Sequence, residues 1–440
     1  MKIRKLIQMM CIGALFILPI YSFANIAIST NEHTVFFGDS LADTGNYPEP
    51  FNVNAPSLMN FNLYVPITNP ISVTDVNFKN FLTGSLGVPE EQGKINYQEK
   101  VKFSANWPLY LTYKLNGKSL ITWYQQTKSA GNSDYNNINY AWASAIAGND
   151  KGLIEPTGNC FHDNGTVFTG VCDVDTILQN RNQYLEHTKQ DPNFDKNNHY
   201  TYSDTQIPDL GKQVSLYLDN GVINNTNLFI YIGANDIGHF LKTKILNVVL
   251  EPSFLFKKKL EKQMPLIANH VKEAINRLET AYQKTDGQNA SFNIYILTLG
   301  HLSNLHQGYS YMHPNIFGRP TWLPIISPRI KKAINNAVDL YNQQLKALVA
   351  SAHYPNVKIL DSGQYLNQLA NSDEYKDSIE NGTVCVNESA YTTPTAAGTN
   401  NCRYKDKEGN IVTYFNWNNS HYTSAVNKQL ADYLFSSLNK

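Results

Sequence analysis

The chain has 440 residues, 42% hydrophobic and 16% charged, the make-up of a globular protein with ample core, which excludes disorder as its ground state. Lys plus Arg equals Asp plus Glu at 36 each, and the longest basic block runs only from Lys257 to Lys259. No net field draws such a chain to nucleic acid, and that role is set aside.

Residues 1–24 read as a Sec signal peptide: Lys2, Arg4 and Lys5 precede an apolar run from Met9 to Ile20, and Ser22-Phe23-Ala24 forms the cleavage site. That run falls well short of the ~20 residues of a membrane span. The expected mature protein is secreted, begins near Asn25, loses Cys11 with the peptide, and forms a single domain over 25–440. Its first element is the buried strand Thr34-Val35-Phe36-Phe37, which ends in Gly38-Asp39-Ser40. A glycine turns there without a Cβ clash. A serine at the carboxyl end of a strand projects into the crevice where α/β proteins bind ligands, and its own amide lines that crevice.

Residues 47–125, rich in Asn, Pro and Tyr, read as an insertion, and so do residues 150–215, which carry Cys160 and Cys172. Between them lies the buried segment Asn139-Tyr140-Ala141-Trp142-Ala143-Ser144-Ala145. A second strand, Leu228 to Ile232, runs into Gly233-Ala234-Asn235-Asp236. Ile267, Val271, Ile275 and Leu278 then recur at helical spacing over 260–284, and Phe292 to Leu297 forms a third strand. His301, His306 and His313 follow at spacings that put no two on one helix face, so they predict loop residues and no metal site.

Ile330, Ile334, Val338, Tyr341, Leu345 and Leu348 mark a helix over 330–349, and Val357 to Leu360 a fourth strand. Asp361 is expected to cap the next helix or to line the crevice. A third insertion, 380–415, holds Cys385 and Cys402. Four cysteines in an oxidising compartment predict disulfides with three possible pairings; the local one, Cys160–Cys172 and Cys385–Cys402, closes short loops and is preferred. Trp417-Asn418-Asn419-Ser420-His421-Tyr422-Thr423 precedes a last helix marked by Val426, Leu430 and Leu434, with Thr423 as its N-cap. Strands alternating with helices predict an α/β protein with a parallel sheet covered on both faces. Gly-x-Gly-x-x-Gly, a Walker loop and a metal-ligand helix are all missing from the sequence, so no cofactor and no metal is expected.

The run from Phe36 to Asn46, Phe-Phe-Gly-Asp-Ser-Leu-Ala-Asp-Thr-Gly-Asn, resembles the first sequence block of the GDSL lipases, or SGNH hydrolases. Asn139 to Ala145 is similar to the second block, Asn-Tyr-Ala-x-Gly-Gly-Ala; Gly233 to Asp236 to the third, Gly-x-Asn-Asp; and Trp417 to Thr423 to the last, Trp-Asp-x-x-His-Pro-Thr. The resemblance implies a three-layer α/β/α, flavodoxin-like SGNH fold with long loop insertions. It implies Ser40 as nucleophile, His421 as base, and an oxyanion hole made by the amides of Ser40 and Ala143 with the Asn235 side chain, supported by Gly38, Asp39 and Gly233.

Two positions depart from the pattern. Ala143 stands where the family has glycine, which leaves a backbone donor in place, with Gly148 as a fallback. Asn418 stands where the family has the aspartate that orients the histidine. Its carbonyl oxygen serves as acceptor for the Nδ1 proton of His421, or another acceptor substitutes, or the protein is catalytically weak.

The length, signal peptide and cysteine loop are most similar to the bacterial branch of lysophospholipases, phospholipases A and glycerophospholipid:cholesterol acyltransferases. That likeness implies a phospholipid or lysophospholipid substrate, a sterol as acyl acceptor, peripheral contact with a membrane surface, and an activating protease that cuts between Cys385 and Cys402. A short-chain or carbohydrate esterase and a lipid-binding pseudoenzyme are the alternatives.

Overall fold

The computed structural model describes residues 33–43, 106–117, 120–122, 137–142, 145–148, 153–158, 203–284, 291–305, 315–316, 319–320, 326–352, 354–384, 403–405, 409–416 and 421–439. The elements in chain order are β1 (His33–Gly38), α1 (Trp107–Asn116), β2 (Ile121–Thr122), β3 (Ile138–Asn139), β4 (Leu153–Gly158), β5 (Ser203–Ile207) and α2 (Leu210–Asp219). Next come β6 (Thr226–Tyr231), α3 (Ala234–Leu250), α4 (Ser253–Lys284), β7 (Phe292–Leu297), β8 (Asn315–Ile316) and β9 (Arg319–Pro320). The chain closes with α5 (Ile326–Ala352), β10 (Val357–Leu360), α6 (Ser362–Ala370), α7 (Lys376–Glu380), β11 (Arg403–Lys405), β12 (Ile411–Thr413) and α8 (Ser424–Leu438).

Six strands form one sheet in the order β2-β3-β1-β6-β7-β10, and every neighbouring pair is parallel. The pairs β4–β5, β8–β9 and β11–β12 are antiparallel and separate from it. Every residue of β6 and β7 is buried, as parallel strands covered on both faces require. Successive side chains of a strand point to opposite faces. Phe36 meets the Trp107 ring of α1 at 5.4 Å and Phe37 meets the Tyr217 ring of α2 at 5.8 Å. The sheet therefore lies between two helical layers: α1 with α8 on the Phe36 side, and α2 with α4 and α5 on the Phe37 side. The protein is a three-layer α/β/α structure.

Leaving aside the two-residue strand β2, the order is the doubly wound 2-1-3-4-5. The chain leaves β1 for β3 on one side and returns to β6 on the other, so the topological switch point lies between the carboxyl ends of β1 and β6. Gly38 pairs with Tyr231 there.

The four expected strands and three expected helices are present: β7 and β10 have the expected bounds, β1 is wider by one residue at each end, and β6 starts two residues earlier and ends at Tyr231 instead of Ile232. The helix expected over 260–284 begins at Ser253 and runs through Pro265. α1 and β2 fall inside the stretch read as the 47–125 insertion, and α2 overlaps the end of the 150–215 stretch, so both stretches feed the layers. Thr423 holds the N-cap position of α8 without capping it; its hydroxyl donates to the Tyr414 carbonyl at 2.9 Å. Asp361 likewise sits at the N-cap of α6 without a capping bond, accepting instead from Thr298 Oγ1 at 2.9 Å and pairing with Lys346. Among the described residues no helix is long and apolar enough to cross a membrane. The signal-peptide residues and Cys160, Cys172, Cys385 and Cys402 lie outside the described residues.

Candidate active site

β1 delivers Ser40 into a tight turn. The Asp39 carbonyl accepts from the amides of Ala42 and Asp43, both at 2.9 Å, and Asp39 Oδ1 accepts from the Leu41 amide at 3.0 Å. Ser40 is half-buried while Asp39, Leu41, Ala42 and Asp43 around it are buried, so its side chain is the part of the turn that reaches the crevice. Gly38 has no room for a Cβ, which would run into the Tyr231 carbonyl oxygen. On its other side Gln213 of α2 brackets it: Oε1 accepts the Gly38 amide and Nε2 donates to the Gly38 carbonyl, both at 2.9 Å.

β6 ends beside it and starts α3 one residue before Asn235. Gly233 bridges strand and helix at φ 111°, a conformation that L side chains rarely adopt, and a Cβ there would come within 2.7 Å of the Tyr341 ring. The buried Tyr341 hydroxyl donates to the Ile232 carbonyl at 2.8 Å and fixes the turn from the α5 side. Asn235 is half-buried, and its Nδ2 donates to the Ala145 carbonyl at 2.9 Å. An amide NH2 carries two hydrogens. Anchoring one on Ala145 sets the plane in which the other points, and holds the 145–148 segment against α3.

His421 lies in the loop before α8 and is buried. Burial pulls its imidazole from 6.5 down to about 4, so the ring is neutral at physiological pH and can accept a proton. Its neighbour Tyr422 is buried in the same floor as Tyr231 and Asp39. Burial first, and then the Asp39 charge, push the Tyr422 hydroxyl well above its ordinary value, with its interaction with Tyr231 acting the other way. Isolated bridges join Asn416 to Tyr422 and to Val384, and the Thr423 amide donates to the Phe415 carbonyl at 3.1 Å. Tyr422 thus brings the histidine's loop to the carboxyl ends of β1 and β6.

A chain of hydrogen bonds ties the serine turn to the histidine turn. The Trp107 indole donates to the Leu41 carbonyl at 2.9 Å, and the Trp107 amide donates to Asn427 Oδ1 at 3.2 Å. Asn427 Nδ2 in turn donates to the carbonyls of Tyr422 at 3.2 Å and Thr423 at 3.1 Å. Asn106 and Asn139 hold the other end of the serine turn, donating to the carbonyls of Asp43 at 2.6 Å and Ala42 at 2.7 Å.

Two carboxyls lie beneath the crevice. Burial raises Asp39 to about 7 against the pull of the Leu41 amide, and the charge of Asp236 adds to the rise. Burial also raises Asp236 to about 6, against the Ala147 amide, which donates to its Oδ2 at 2.9 Å, and the charges of His270 and His239. The charge of Asp236 disfavours ionisation of Asp39, so near neutral pH this floor carries less than two full negative charges.

Of the residues singled out in the sequence, Gly38, Asp39, Ser40, Gly233 and Asn235 meet at the switch point, and His421 reaches it through Tyr422 and Asn427. Gly148 lies at the start of α2, accepting from the Gly211 amide at 3.2 Å. Ala143 and Asn418 lie outside the described residues, as do His306 and His313, while His301 faces Asp339 at 2.9 Å on the outer side of α5. Among the described residues no cluster of His, Cys, Asp or Glu is arranged to hold a metal. Trp107, Gln213 and Asn427 are not among the residues the sequence singles out, and Tyr341 is among them only as an apolar position of its helix. Asn427, a polar residue on the apolar face of the last helix, was the one with a visible signal. No protein-family model and no characterised protein matches the chain.

Proposed function

We propose that this protein is a secreted serine acylhydrolase of the GDSL (SGNH) type that cleaves lipid esters, with phospholipids and lysophospholipids as substrates. The observation that carries the reading is the convergence of Ser40 and Asn235 at the ends of adjacent parallel strands β1 and β6, with the buried neutral His421 tied to the same turn. Ser40 Oγ attacks the ester carbonyl carbon while His421 takes its proton, and the carbonyl oxygen becomes an oxyanion. The Asn235 side chain and the amides of Ser40 and Ala143 donate to that oxyanion, about 3 to 4 kcal/mol per donor. The tetrahedral species expels the alcohol, which takes the proton from His421. Water, or a sterol hydroxyl in the transferase variant, then attacks the acyl-enzyme by the same steps in reverse. The chemistry needs no cofactor.

Release of fatty acid from phosphatidylcholine and its lyso form by the purified mature protein tests the reading, beside Ser40→Ala and a sterol-supplemented sample. Turnover abolished by Ser40→Ala supports it, and sterol ester formation makes the protein an acyltransferase. Hydrolysis of short-chain esters alone points to the short-chain or carbohydrate esterase. Asn418 favours one further reading, a lipid-binding pseudoenzyme, for which a serine-reactive fluorophosphonate labels the wild type no better than Ser40→Ala.

A further inference from the structure

The helix α4 is longer than the sheet it covers, and its excess length stands on the side where Ser40 opens. Its carboxyl end packs at the amino edge of the sheet, where Tyr282 stacks on Phe292, the first residue of β7, at 4.3 Å. Twelve residues earlier His270 acts on Asp236 at the carboxyl edge. The sixteen residues from His270 back to Phe254 therefore carry the helix about 24 Å further, at about 1.5 Å per residue. Glu251 braces this projecting half, pairing with Lys259 at 2.7 Å and accepting from Arg329 of α5 through its carbonyl.

The inner seam of this half is ordinary core: Phe256, Leu260, Met264, Ile267 and Ala268 are buried. The opposite seam is not ordinary surface. The large hydrophobic side chains exposed among the described residues are Phe254 at 60%, Leu255 at 40% and Leu266 at 49%, and all three sit here. Phe254, Lys258, Lys262 and Leu266 follow one another every four residues and so share one face of the helix, and all four are exposed. Lys258 and Lys262 have no ion-pair partner among the described residues. Exposed Lys331 and Lys332 near the start of α5 add positive charge at the same end, in a chain whose charges balance overall.

We infer that this face of α4 is an interfacial surface that docks on an anionic phospholipid bilayer. Phe254, Leu255 and Leu266 enter the headgroup boundary, and Lys258 and Lys262 reach anionic headgroups from stems laid along the apolar surface. The surface explains why, among the described residues, the exposed large apolar groups cluster here, which scattered surface leucines would not. Its role in presenting substrate to Ser40 rests on the acylhydrolase reading; the docking itself does not.

The test is co-sedimentation of the purified mature protein with phosphatidylcholine vesicles, with and without phosphatidylglycerol, for wild type, Phe254→Ser/Leu266→Ser and Lys258→Glu/Lys262→Glu. The expected result is binding that requires phosphatidylglycerol, weakens with salt, and drops by about ten-fold or more in either variant, while hydrolysis of a soluble short-chain ester is unchanged. Failure of the wild type to bind, or equal binding by all three proteins, overturns the inference. A wild-type dimer in solution that Phe254→Ser/Leu266→Ser converts to monomer overturns it in favour of self-association. Vesicle binding that is lost in the variants, in a protein that cleaves no ester, sustains the docking surface and sinks the acylhydrolase reading.

Discussion

Trp107 and Asn427 form a two-ended tie between the start of α1 and the inner face of α8: the Asn427 carboxamide accepts the Trp107 amide at 3.2 Å, and the Trp107 indole donates to the Leu41 carbonyl at 2.9 Å. One end holds the turn of the proposed nucleophile and the other the turn of the proposed base. Asn427→Ala leaves the Trp107 amide buried and unpaired and is expected to cost about 1–3 kcal/mol in denaturant unfolding. Trp107→Phe removes the indole donor and shrinks a buried ring packed on Phe36, Phe229 and Tyr231, so it costs packing as well as the hydrogen bond. Both variants are expected to lower kcat by about 10- to 100-fold through misplacement, with KM little changed. A kcat that stays at the wild-type value in a folded variant shows that the tie does not position the reacting groups.

Asn235→Ala removes the proposed oxyanion donor, with an expected fall in kcat of about 10²- to 10³-fold. Tyr341→Phe acts one step back, leaving the Ile232 carbonyl without its 2.8 Å partner. It is expected to destabilise by about 1–3 kcal/mol and to slow fluorophosphonate labelling of Ser40 without abolishing it. Labelling at the wild-type rate in Tyr341→Phe separates the Gly233 turn from catalysis.

The acid limb of kcat/KM is expected to report His421, the proposed base. Burial lowers it from 6.5 to about 4, so the base form persists until the pH falls through about 4, and activity is expected to hold at pH 5. On the proposed reading, Asn418→Asp restores the aspartate that the resembled family uses to orient its histidine, and that carboxylate favours the imidazolium. The acid limb then moves up toward neutral pH, and kcat rises because a stronger base takes the Ser40 proton more readily. A limb that does not move on this substitution shows that position 418 does not address His421.

Asp39 makes stability depend on pH in the opposite sense to an ordinary carboxylate. Its folded value of about 7 lies above the unfolded 3.8, so the native state holds a proton that the unfolded state has released between those values. The contribution is complete below pH 3.8 and is lost as the pH rises to about 7, on the order of 4 kcal/mol. In Asp39→Asn the amide oxygen can still accept from Leu41, and the titration is gone. The variant is expected to match the wild type near pH 4 and to exceed its Tm increasingly up to pH 8. Parallel Tm curves for the two proteins contradict the assignment.

What the sequence made legible follows from burial. Strands such as Phe292–Leu297 are apolar at every position but Asn293 because both faces are covered, and α5 shows its period because one face meets water. The stretch that forms α1 hid its helix for the same reason: Trp107, Pro108, Tyr110, Leu111, Thr112 and Leu115 are buried, and a helix covered nearly all round shows little period. At the site, Ser40 and Asn235 were legible because each follows a strand in a short motif. Gln213 and Tyr341 were not, since their partners are backbone atoms far along the chain that no spacing reveals. The two carboxyls at the crevice floor were read as motif letters, and their raised values depend on burial that only the fold creates.

The bracketing of Gly38 by Gln213 has a consequence for the order of events on heating. On β1, β3 pairs only with Val35 and Phe36, so the last residue of the strand draws its outer hydrogen bonds from the Gln213 side chain and from the Trp142 amide just past β3, which donates to the Gly38 carbonyl at 3.1 Å. The turn of the proposed nucleophile is thereby fastened to α2, a ten-residue helix, as well as to the segment that follows β3. When α2 loosens, Gly38 loses both Gln213 bonds and keeps the one from Trp142 while β1 remains zipped to β6, so loss of the turn's geometry will precede the melting of the sheet.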